Sequence, residues 1–329
     1  MRINYEPKLK FVERISALLN NNKEDIDKFF ESAKTSPKRS IRCNTLKISP
    51  EELIIRLKKY NWDVSQPIPN HPEIIIINNI LQPGELGKTK EHILGYYYVQ
   101  EITSMMPIIA LSPKENEIIL DCCASPGSKT TQAAALMNNK GAIIANDVSI
   151  SRTAILSANL ERQGVTNTIM TRDDAISLSQ RLKKVNISFK KILVDAPCSG
   201  EGNIRVSPRT LLEWSEGLLK SMSKKQKKIA SSMIELLEEG GEMVYSTCTH
   251  APEENEETVQ YLLDNYDIEI IETKLPIKSR PGITSWKNKE FDKSMTKCHR
   301  IYHHDNDMEG FFVCKIRKLS DKKKGEEDI

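Results

Sequence analysis

The alternation of short apolar runs with longer amphipathic stretches constrains the fold of this chain more than any other feature. After residue 94, strand-like runs occur at residues 118–121, 142–147, 168–171, 191–195 and 242–246, and helical patterns occur at residues 128–137, 149–163, 215–238 and 252–265. Strands that alternate with helices of this length favour a mostly parallel sheet with helices on both faces. Two more runs, 267–273 and 310–317, are predicted to pair at one sheet edge. We therefore predict an α/β domain over residues 86–318.

The first 85 residues predict a separate, smaller α+β domain. Helical periodicity covers residues 8–19 and 23–33, and a strand at 40–46, a helix at 49–60 and a strand at 74–77 follow. The breaker-rich segment Gln82-Pro-Gly-Glu-Leu-Gly marks the boundary. Residues 1–90 hold 16 Lys and Arg against 11 Asp and Glu, although the whole chain carries only +3. This balance suits a polyanionic partner, but an ordinary solvated surface gives similar counts. Residues 319–329 are predicted to form a charged, disordered tail.

Composition excludes several classes of protein. No apolar run reaches the roughly 18 to 20 residues of a membrane-spanning helix, and the first eight residues lack the apolar core of a signal peptide. We therefore expect a cytoplasmic protein without membrane contact. The seven cysteines form no Cys-x-x-Cys pair, which argues against a disulfide framework and against structural zinc. We expect no bound metal.

Residues 121–130, Asp-Cys-Cys-Ala-Ser-Pro-Gly-Ser-Lys-Thr, form a predicted turn between a strand and a helix. Ligands of open α/β sheets collect at the carboxyl ends of the strands, and Asp147, 20 residues after Gly127, stands where a carboxylate binds ribose hydroxyls. Cys123 and Ser128 occupy the positions of both P-loop glycines, and no Gly-x-Gly-x-x-Gly is present. S-adenosylmethionine (SAM) has no phosphates and suits a shorter turn. Taken alone, the loop is equally compatible with a connection that binds nothing.

Two cysteines each follow a predicted strand, in Asp195-Ala-Pro-Cys198-Ser-Gly and in Tyr245-Ser-Thr-Cys248-Thr. Carbon 5 of cytosine is a poor nucleophile, and addition of a thiolate to carbon 6 turns the ring into an enamine-like species that attacks a methyl donor. The reaction also needs an acid near ring nitrogen 3, which Asp195 can supply, and a base for the proton of carbon 5. An amine methyltransferase would carry Asn/Asp-Pro-Pro-Tyr/Phe at this point. The Pro-Cys sequence therefore favours thiol chemistry.

These motifs resemble the Nol/Nop/Sun family of RNA cytosine-5 methyltransferases, and among them the compact archaeal-type tRNA enzymes. The matching segments are Arg42-Cys-Asn-Thr-Leu46, Gly95 to Met106, Cys123 to Thr130, Asp195 to Gly202, Thr247-Cys248-Thr249 and Gly310 to Lys315. The resemblance implies a Rossmann-like, seven-stranded SAM-dependent methyltransferase sheet, an RRM-like N-terminal RNA-binding domain, and SAM as the cofactor.

The resemblance also implies roles for individual residues. Cys248 is the implied nucleophile, and Cys198 helps to resolve the covalent adduct or removes the proton from carbon 5. In DNA cytosine methyltransferases the Pro-Cys thiol attacks, so the reversed assignment stays open. Lys129 orients the target base or Asp195, or is an ordinary surface lysine. The implied SAM contacts are Cys123, Ala124, Ser125, Pro126, Gly127, Ser128, Lys129, Asp147, Arg152, Asp174 and Asp195.

Two positions depart from the family pattern: Ser128 replaces the second glycine of Pro-Gly-Gly-Lys-Thr, and His303 replaces a proline, which leaves the shape of that loop open. His299, His303 and His304 fit no familiar metal spacing, and we interpret them as solvated or RNA-facing.

The leading hypothesis is a monomeric tRNA cytosine-5 methyltransferase that flips its target base into a pocket between the two cysteines and does not act on DNA. An rRNA methyltransferase and a non-catalytic RNA-binding assembly factor remain alternatives. The lysine run from Lys224 to Lys228 either contacts RNA or forms a solvated helix face.

Overall fold

The computed structural model describes residues 5–323, the side chain of residue 323 excepted. In these residues the α-helices are α1 (Leu9–Leu18), α2 (Lys23–Ala33), α3 (Pro50–Lys58), α4 (Glu85–Lys88), α5 (Lys90–Ile93), α6 (Met106–Leu111), α7 (Ser128–Leu136), α8 (Ile150–Gln163), α9 (Ala175–Lys184), α10 (Thr210–Glu213), α11 (Glu216–Ile234), α12 (Glu256–Asn265) and α13 (His303–Asn306). The strands are β1 (Arg39–Cys43), β2 (Val64–Ser65), β3 (Ile74–Ile77), β4 (Tyr97–Val99), β5 (Ile118–Asp121), β6 (Ala142–Asn146), β7 (Thr168–Thr171), β8 (Phe189–Asp195), β9 (Leu237–Thr247), β10 (Tyr266–Ile270), β11 (Arg280–Pro281), β12 (Ser285–Trp286), β13 (Lys289–Glu290), β14 (His299–Ile301) and β15 (Phe311–Lys323).

A nine-stranded sheet forms the centre of the α/β domain. Its order is β11-β14-β15-β9-β8-β5-β6-β7, and β10 pairs with a second stretch of β15. Strands β5 to β9 are parallel to one another, whereas β15 is antiparallel to β9, β10 and β14. The predicted seven-stranded methyltransferase sheet is therefore confirmed as β7-β6-β5-β8-β9-β15-β10, extended by β14 and β11. The strand order reverses at β5, which lies between β6 and β8.

Apolar side chains from both faces of this sheet pack against helices. One buried cluster joins α6 and α7 to β5, β6 and β15, and another joins α9, α11 and α12 to β8, β9 and β10. Burial on both faces explains why the parallel strands appear in the sequence as nearly continuous apolar runs. The helices cover the faces of the sheet but not the polar carboxyl ends of its strands, so a ligand-binding site can form there. Helix α9, which the sequence pattern did not predict, completes the crossover from β7 to β8.

A second sheet, with order β2-β3-β1-β4, is antiparallel throughout and packs with α3 around Ile41, Leu53 and Trp62. Its elements follow the order β-α-β-β-α-β, the ferredoxin-like arrangement. The predicted start of α3 is confirmed, since Ser49 Oγ accepts a hydrogen bond from the Glu52 amide at 3.2 Å and proline opens the helix.

The predicted boundary after residue 85 does not separate the two sheets. Strand β4 lies beyond it and yet pairs with β1 in the small sheet. Helices α1 and α2 lie before it, but they pack on the α/β domain: the Phe11 and Trp214 rings meet edge to face at 5.5 Å, and Arg14 Nη2 lies 2.6 Å from Glu253 Oε2. Local periodicity predicts that these helices exist, not which core buries their apolar faces.

The C-terminal prediction also differs from the structure in part. Residues 319–323 of the predicted disordered tail continue strand β15, and residues 324–329 lie outside the described residues. In the described part of the chain, no helix is both long and apolar enough to span a membrane.

The C-terminal histidines are more buried than predicted. His303 is fully buried, with its ring 4.2 Å from that of Phe29 in α2, and the buried His304 side chain pairs with Asp25 at 2.8 Å. His299 is partly buried and bonds to Thr273. The interpretation of His303 and His304 as solvated or RNA-facing is wrong, because α2 covers them. His303 opens α13, a helix position that also accommodates proline, so histidine and proline are both compatible with this backbone.

His303→Gln is expected to make the fold less sensitive to acid. Burial, followed by the charges of His250, His304 and Arg205, holds the pKa of His303 well below its ordinary value of 6.5. An imidazole that stays neutral when folded but binds a proton when unfolded lowers stability as pH falls below about 6.5. Urea titrations measure the free energy of unfolding. Between pH 7 and pH 5 this free energy should fall more steeply in the natural protein than in the variant, by up to about 1.4 kcal/mol per pH unit. Parallel pH dependences would contradict the prediction.

Candidate active site

A cleft of about 250 Å³ opens at the carboxyl ends of β5, β6, β8 and β9, where the strand order reverses. Of the predicted site residues, those that line it are Cys123, Ser125, Asp147, Arg152, Asp174, Asp195, Cys198 and Cys248. Ala124, Pro126, Gly127, Ser128 and Lys129 do not line this cleft. The structure thus brings together segments that are more than 120 residues apart in the sequence.

The loop after β5 is fixed by backbone geometry. The Ala124 amide donates to the Asn146 carbonyl at 2.7 Å, and the Ser125-Pro126 peptide bond is cis. Gly127 has φ +103°, and a Cβ there would lie 2.9 Å from Leu156 Cδ1, so glycine is required. Helix α7 begins directly after it. The amino end of this helix therefore follows the loop that enters the cleft.

A residue of the small sheet, Arg42, contacts the beginning of α7 directly after this loop. Arg42 of β1 is buried, and its guanidinium donates to the Ser128 carbonyl at 2.7 Å, to Thr131 Oγ1 at 2.8 Å and to the Gln100 side chain. Burial lowers the pKa of Arg42 to about 10. The N-terminal sheet is thus connected to the first turn of α7, directly after the loop.

Acidic residues line the side of the cleft nearest β6 and β7. Asp147 is buried, accepts a hydrogen bond from the Ser149 amide at 3.1 Å, and lies 3.3 Å from Arg152 Nη2. Arg152 also donates to the Ser125 carbonyl at 2.6 Å, so it links this carboxylate to the loop. Asp174 caps the amino end of α9 by accepting a hydrogen bond from the Ile176 amide at 3.0 Å. The sequence analysis did not predict this structural role.

Lys129 is a buried residue, not a surface lysine. Its Nζ lies 2.8 Å from Asp195 Oδ2 and 2.9 Å from Ser104 Oγ, and it sits 5.3 Å from the centre of the Phe311 ring. The other carboxylate oxygen of Asp195 accepts from Ser246 Oγ at 2.8 Å. Two donors therefore fix the orientation of Asp195 at the carboxyl end of β8.

The two predicted thiols meet in the cleft, with Cys198 Sγ 3.1 Å from Cys248 Sγ. The hydrogen bond with Cys198 is the largest effect on the pKa of Cys248, and it lowers that pKa. Burial and the charge of Asp195 raise it, whereas the charge of Lys129 and a hydrogen bond from Asn203 lower it further. The same hydrogen bond, followed by burial and then the charges of Cys248 and Glu254, raises the pKa of Cys198. Of the two sulfurs, Cys248 is the one whose surroundings favour the thiolate, and Cys198 is the one whose surroundings favour the protonated thiol.

Sequence reasoning missed three polar residues of the cleft, Asn203, Asn146 and Asp173. Asn203 donates from Nδ2 to Cys248 Sγ at 3.1 Å. Asn146 ties the end of β6 to both neighbouring loops, donating to the Cys122 and Asp173 carbonyls. Asn146 could have been predicted, because it is an asparagine at a strand end directly before Asp147. The only signal for Asn203 is a polar residue after the Gly-x-Gly turn that follows Cys198.

The Rossmann-like sheet, with a cleft and two apposed thiols at its switch point, is the fold of a SAM-dependent methyltransferase. A family model described as 16S rRNA methyltransferase RsmB/F matches residues 108–317, and one described as the N-terminal domain of 16S rRNA methyltransferase RsmF matches residues 8–102. The chain belongs to this family of SAM-dependent RNA cytosine-5 methyltransferases.

Individual relatives differ in length and in their named RNA. Ribosomal RNA small subunit methyltransferase F of Erwinia tasmaniensis is 37% identical over 313 residues, which cover 94% of this chain but only 63% of that relative. The tRNA (cytosine(49)-C(5))-methyltransferase of Pyrococcus abyssi is 38% identical over 310 residues, 94% of this chain and 96% of the relative.

Two solved structures share the fold over nearly the whole chain. A methyltransferase homolog from Pyrococcus horikoshii has 33% identity and a TM-score of 0.79, with 95% of this chain and all of that chain aligned. NSun6 from the same organism, solved with the SAM analogue SFG, has 26% identity and a TM-score of 0.83, with 95% and 99% aligned.

Proposed function

We propose that this protein transfers the methyl group of SAM to carbon 5 of a cytosine in tRNA, through a covalent adduct on Cys248. The observation that carries the proposal is the pair of sulfurs 3.1 Å apart in the cleft. One of them is biased toward the thiolate, and Asp195 is held beside them by Lys129. A merely structural cysteine pair would not need this charge arrangement.

The residues of the cleft fit SAM. The buried Asp147 carboxylate suits ribose hydroxyls, and the acidic residues Asp173 and Asp174 complement a positively charged sulfonium. Cys123 and Ser125 of the loop after β5, together with Arg152, form the remaining wall that we assign to the cofactor. When bound, SAM supplies an electrophilic methyl group.

The side chains of the chain itself account for the other steps. The Cys248 thiolate adds to carbon 6, and the Lys129–Asp195 pair supplies the proton that neutralises the electron density developing at ring nitrogen 3. Carbon 5 then takes the methyl group. Removal of the carbon 5 proton, assisted by Cys198, re-forms the double bond and expels Cys248 as a thiolate.

The reversed assignment, with Cys198 as nucleophile, has less support. The Cys198 loop lies against Glu254, whose carboxylate accepts from the Ser199 amide at 3.0 Å and whose charge raises the pKa of Cys198. Cys248 faces Lys129 and Asn203, which favour its thiolate. We therefore assign the attack to Cys248.

Lysines on α11 offer a path for RNA away from the cleft. Lys225 lines the cleft itself, and Lys220, Lys224 and Lys227 line a neighbouring groove of about 580 Å³. Lys289 also lines this groove, although Glu257 pairs with it at 2.6 Å. We propose that phosphates of the RNA bind along this helix while the target base is flipped into the cleft, and that the basic N-terminal domain supplies further RNA contacts.

The choice of tRNA follows the resemblance to the archaeal-type tRNA enzymes: the named tRNA (cytosine(49)-C(5))-methyltransferase of Pyrococcus abyssi is 38% identical over 94% of this chain. The second candidate is rRNA, because both family models carry 16S rRNA names.

The test supplies purified protein with SAM and, separately, unmodified total tRNA and 16S rRNA, and then maps methylated cytosines by bisulfite sequencing. We expect methylation of tRNA at a discrete cytosine. Methylation confined to rRNA would replace the substrate assignment and keep the chemistry. RNA binding without any transfer of methyl label would reject the enzyme in favour of an assembly factor.

A further inference from the structure

Asn203 contacts the sulfur of Cys248 without a role in the reaction outlined above. It is the last residue of a short 3-10 turn, Glu201–Asn203, that follows the Cys198 motif. Its side chain is partly buried, lines the cleft, and brings Nδ2 to 3.1 Å from Cys248 Sγ.

The turn that carries Asn203 is held rigidly against Cys248. The Gly202 amide donates to the Cys248 carbonyl at 2.9 Å, and the Gly310 amide donates to the Gly202 carbonyl at 2.9 Å. A Cβ on Gly202 would lie 2.2 Å from the Gly310 carbonyl oxygen and 2.9 Å from that of Cys248, so only glycine fits. The neighbouring Glu201 is buried and accepts from Trp214 Nε1 at 2.6 Å. The backbone of Asn203 is therefore held in a fixed position next to Cys248, from which its side chain reaches the sulfur.

Two hydrogen bonds converge on the Cys248 sulfur, and they differ in kind. The one from Cys198 comes from a group that itself titrates and takes part in the proposed chemistry. The one from Asn203 comes from a neutral amide, which stays a donor at every pH that the protein tolerates. It also persists when Cys198 changes its protonation state. A donor to an anionic sulfur stabilises the anion because the hydrogen bond is charge-assisted.

We propose that Asn203 is a catalytic residue whose amide donates to Cys248 Sγ and stabilises the thiolate both before attack on the base and as the leaving group when the adduct breaks. The inference rests on the proposed role of Cys248 as nucleophile. Two other roles for Asn203 are possible outcomes of the test: a contact to the target base, or support of the turn alone.

The test measures the reactivity of the Cys248 thiol in the full chain without RNA or SAM. Iodoacetamide labelling is followed across pH 5 to 10, and the labelled Cys248 peptide is quantified by mass spectrometry. The groups that face this sulfur, Cys198, Asp195, Lys129 and Glu309, stay unchanged in every variant. Asn203→Leu removes the donor, and Asn203→Asp replaces it with a negative charge of the same shape. The exposed Asn288→Leu is the matched control.

In Asn203→Leu we expect the midpoint of the pH–rate profile to rise by about one unit, which is the size of one hydrogen bond to a charged group. Asn203→Asp should raise it further, and Asn288→Leu should leave it unchanged. If Asn203→Leu unfolds, the isosteric Asp variant still decides the question. An unshifted midpoint in a folded Leu variant, or a lower midpoint in Asp than in Leu, would overturn the proposal.

Methyl transfer separates the remaining roles. For Asn203→Leu we expect kcat to fall about tenfold near neutral pH and to recover as pH rises through the new midpoint, with little change in KM. A raised KM with an unshifted labelling midpoint would reject thiolate stabilisation in favour of a base contact. Shifted labelling combined with no methyl transfer by the natural protein would reject the proposed function and leave the thiolate contact standing.

Discussion

Cys248→Ala is expected to abolish methyl transfer and covalent capture of RNA. Without this sulfur nothing in the cleft can add to carbon 6 in the same geometry, and carbon 5 stays too weak a nucleophile to attack a methyl group. The loss should be on the order of 10⁴-fold or more in kcat, as for the removal of other covalent nucleophiles. The measurement is incorporation of methyl label from SAM into RNA, together with a denaturing gel that detects protein bound to RNA.

The matched control is Cys43→Ala. Cys43 is buried in the small sheet, and burial raises the pKa of its thiol to about 12, so it is an unreactive cysteine outside the cleft. This variant should keep both methyl transfer and capture. RNA adduct that accumulates in Cys248→Ala, and disappears in Cys198→Ala, would reverse the assignment of the two thiols.

Much of the fold of both domains could be predicted because its signals are local. The buried parallel strands appear as apolar runs, and the hydroxyl, proline and glutamate at Ser49, Pro50 and Glu52 specify the start of α3. Helix α9 was missed, although its N-cap, Asp174, is a strong local signal. The family resemblance implies a SAM contact for Asp174 and gives no indication of the helix that it caps. The domain boundary failed because β4 pairs with β1 across more than 50 residues, a contact that no local pattern encodes.

The site divides in the same way. Cys198, Cys248 and Asp195 stand next to strand ends, and parallel strands deliver their carboxyl ends to one edge of the sheet, so their meeting could be predicted. Asn203 could not, because its contact with Cys248 depends on Gly202 packing against Gly310, more than 100 residues away. The burial of His303 was equally hidden, since the residue that covers it, Phe29, lies in a helix near the other end of the chain.

Cys198→Ala is expected to trap a protein–RNA adduct that survives denaturation. In the proposed resting state the Cys198 thiol donates to Cys248, and this hydrogen bond is the largest cause of the raised pKa of Cys198. Once Cys248 is bonded to carbon 6, its sulfur is a neutral thioether and both this hydrogen bond and its negative charge are lost. Cys198 then gives up its proton more readily and becomes available as a base for the proton of carbon 5.

Alanine at this position removes the base but leaves Cys248 and its contacts with Lys129 and Asn203 in place. Addition and methyl transfer can proceed, whereas release slows by on the order of 10² to 10⁴-fold, the usual contribution of general base catalysis. A denaturing gel of RNA incubated with SAM should show a shifted band in Cys198→Ala that is absent from the double variant lacking both thiols. Loss of the hydrogen bond from Cys198 also raises the pKa of Cys248, so a smaller fraction of this thiol is ionised at neutral pH. The band should therefore form faster as pH rises toward 9. A variant that turns over normally, or captures nothing at any pH, would show that Cys198 takes no part in breaking the adduct.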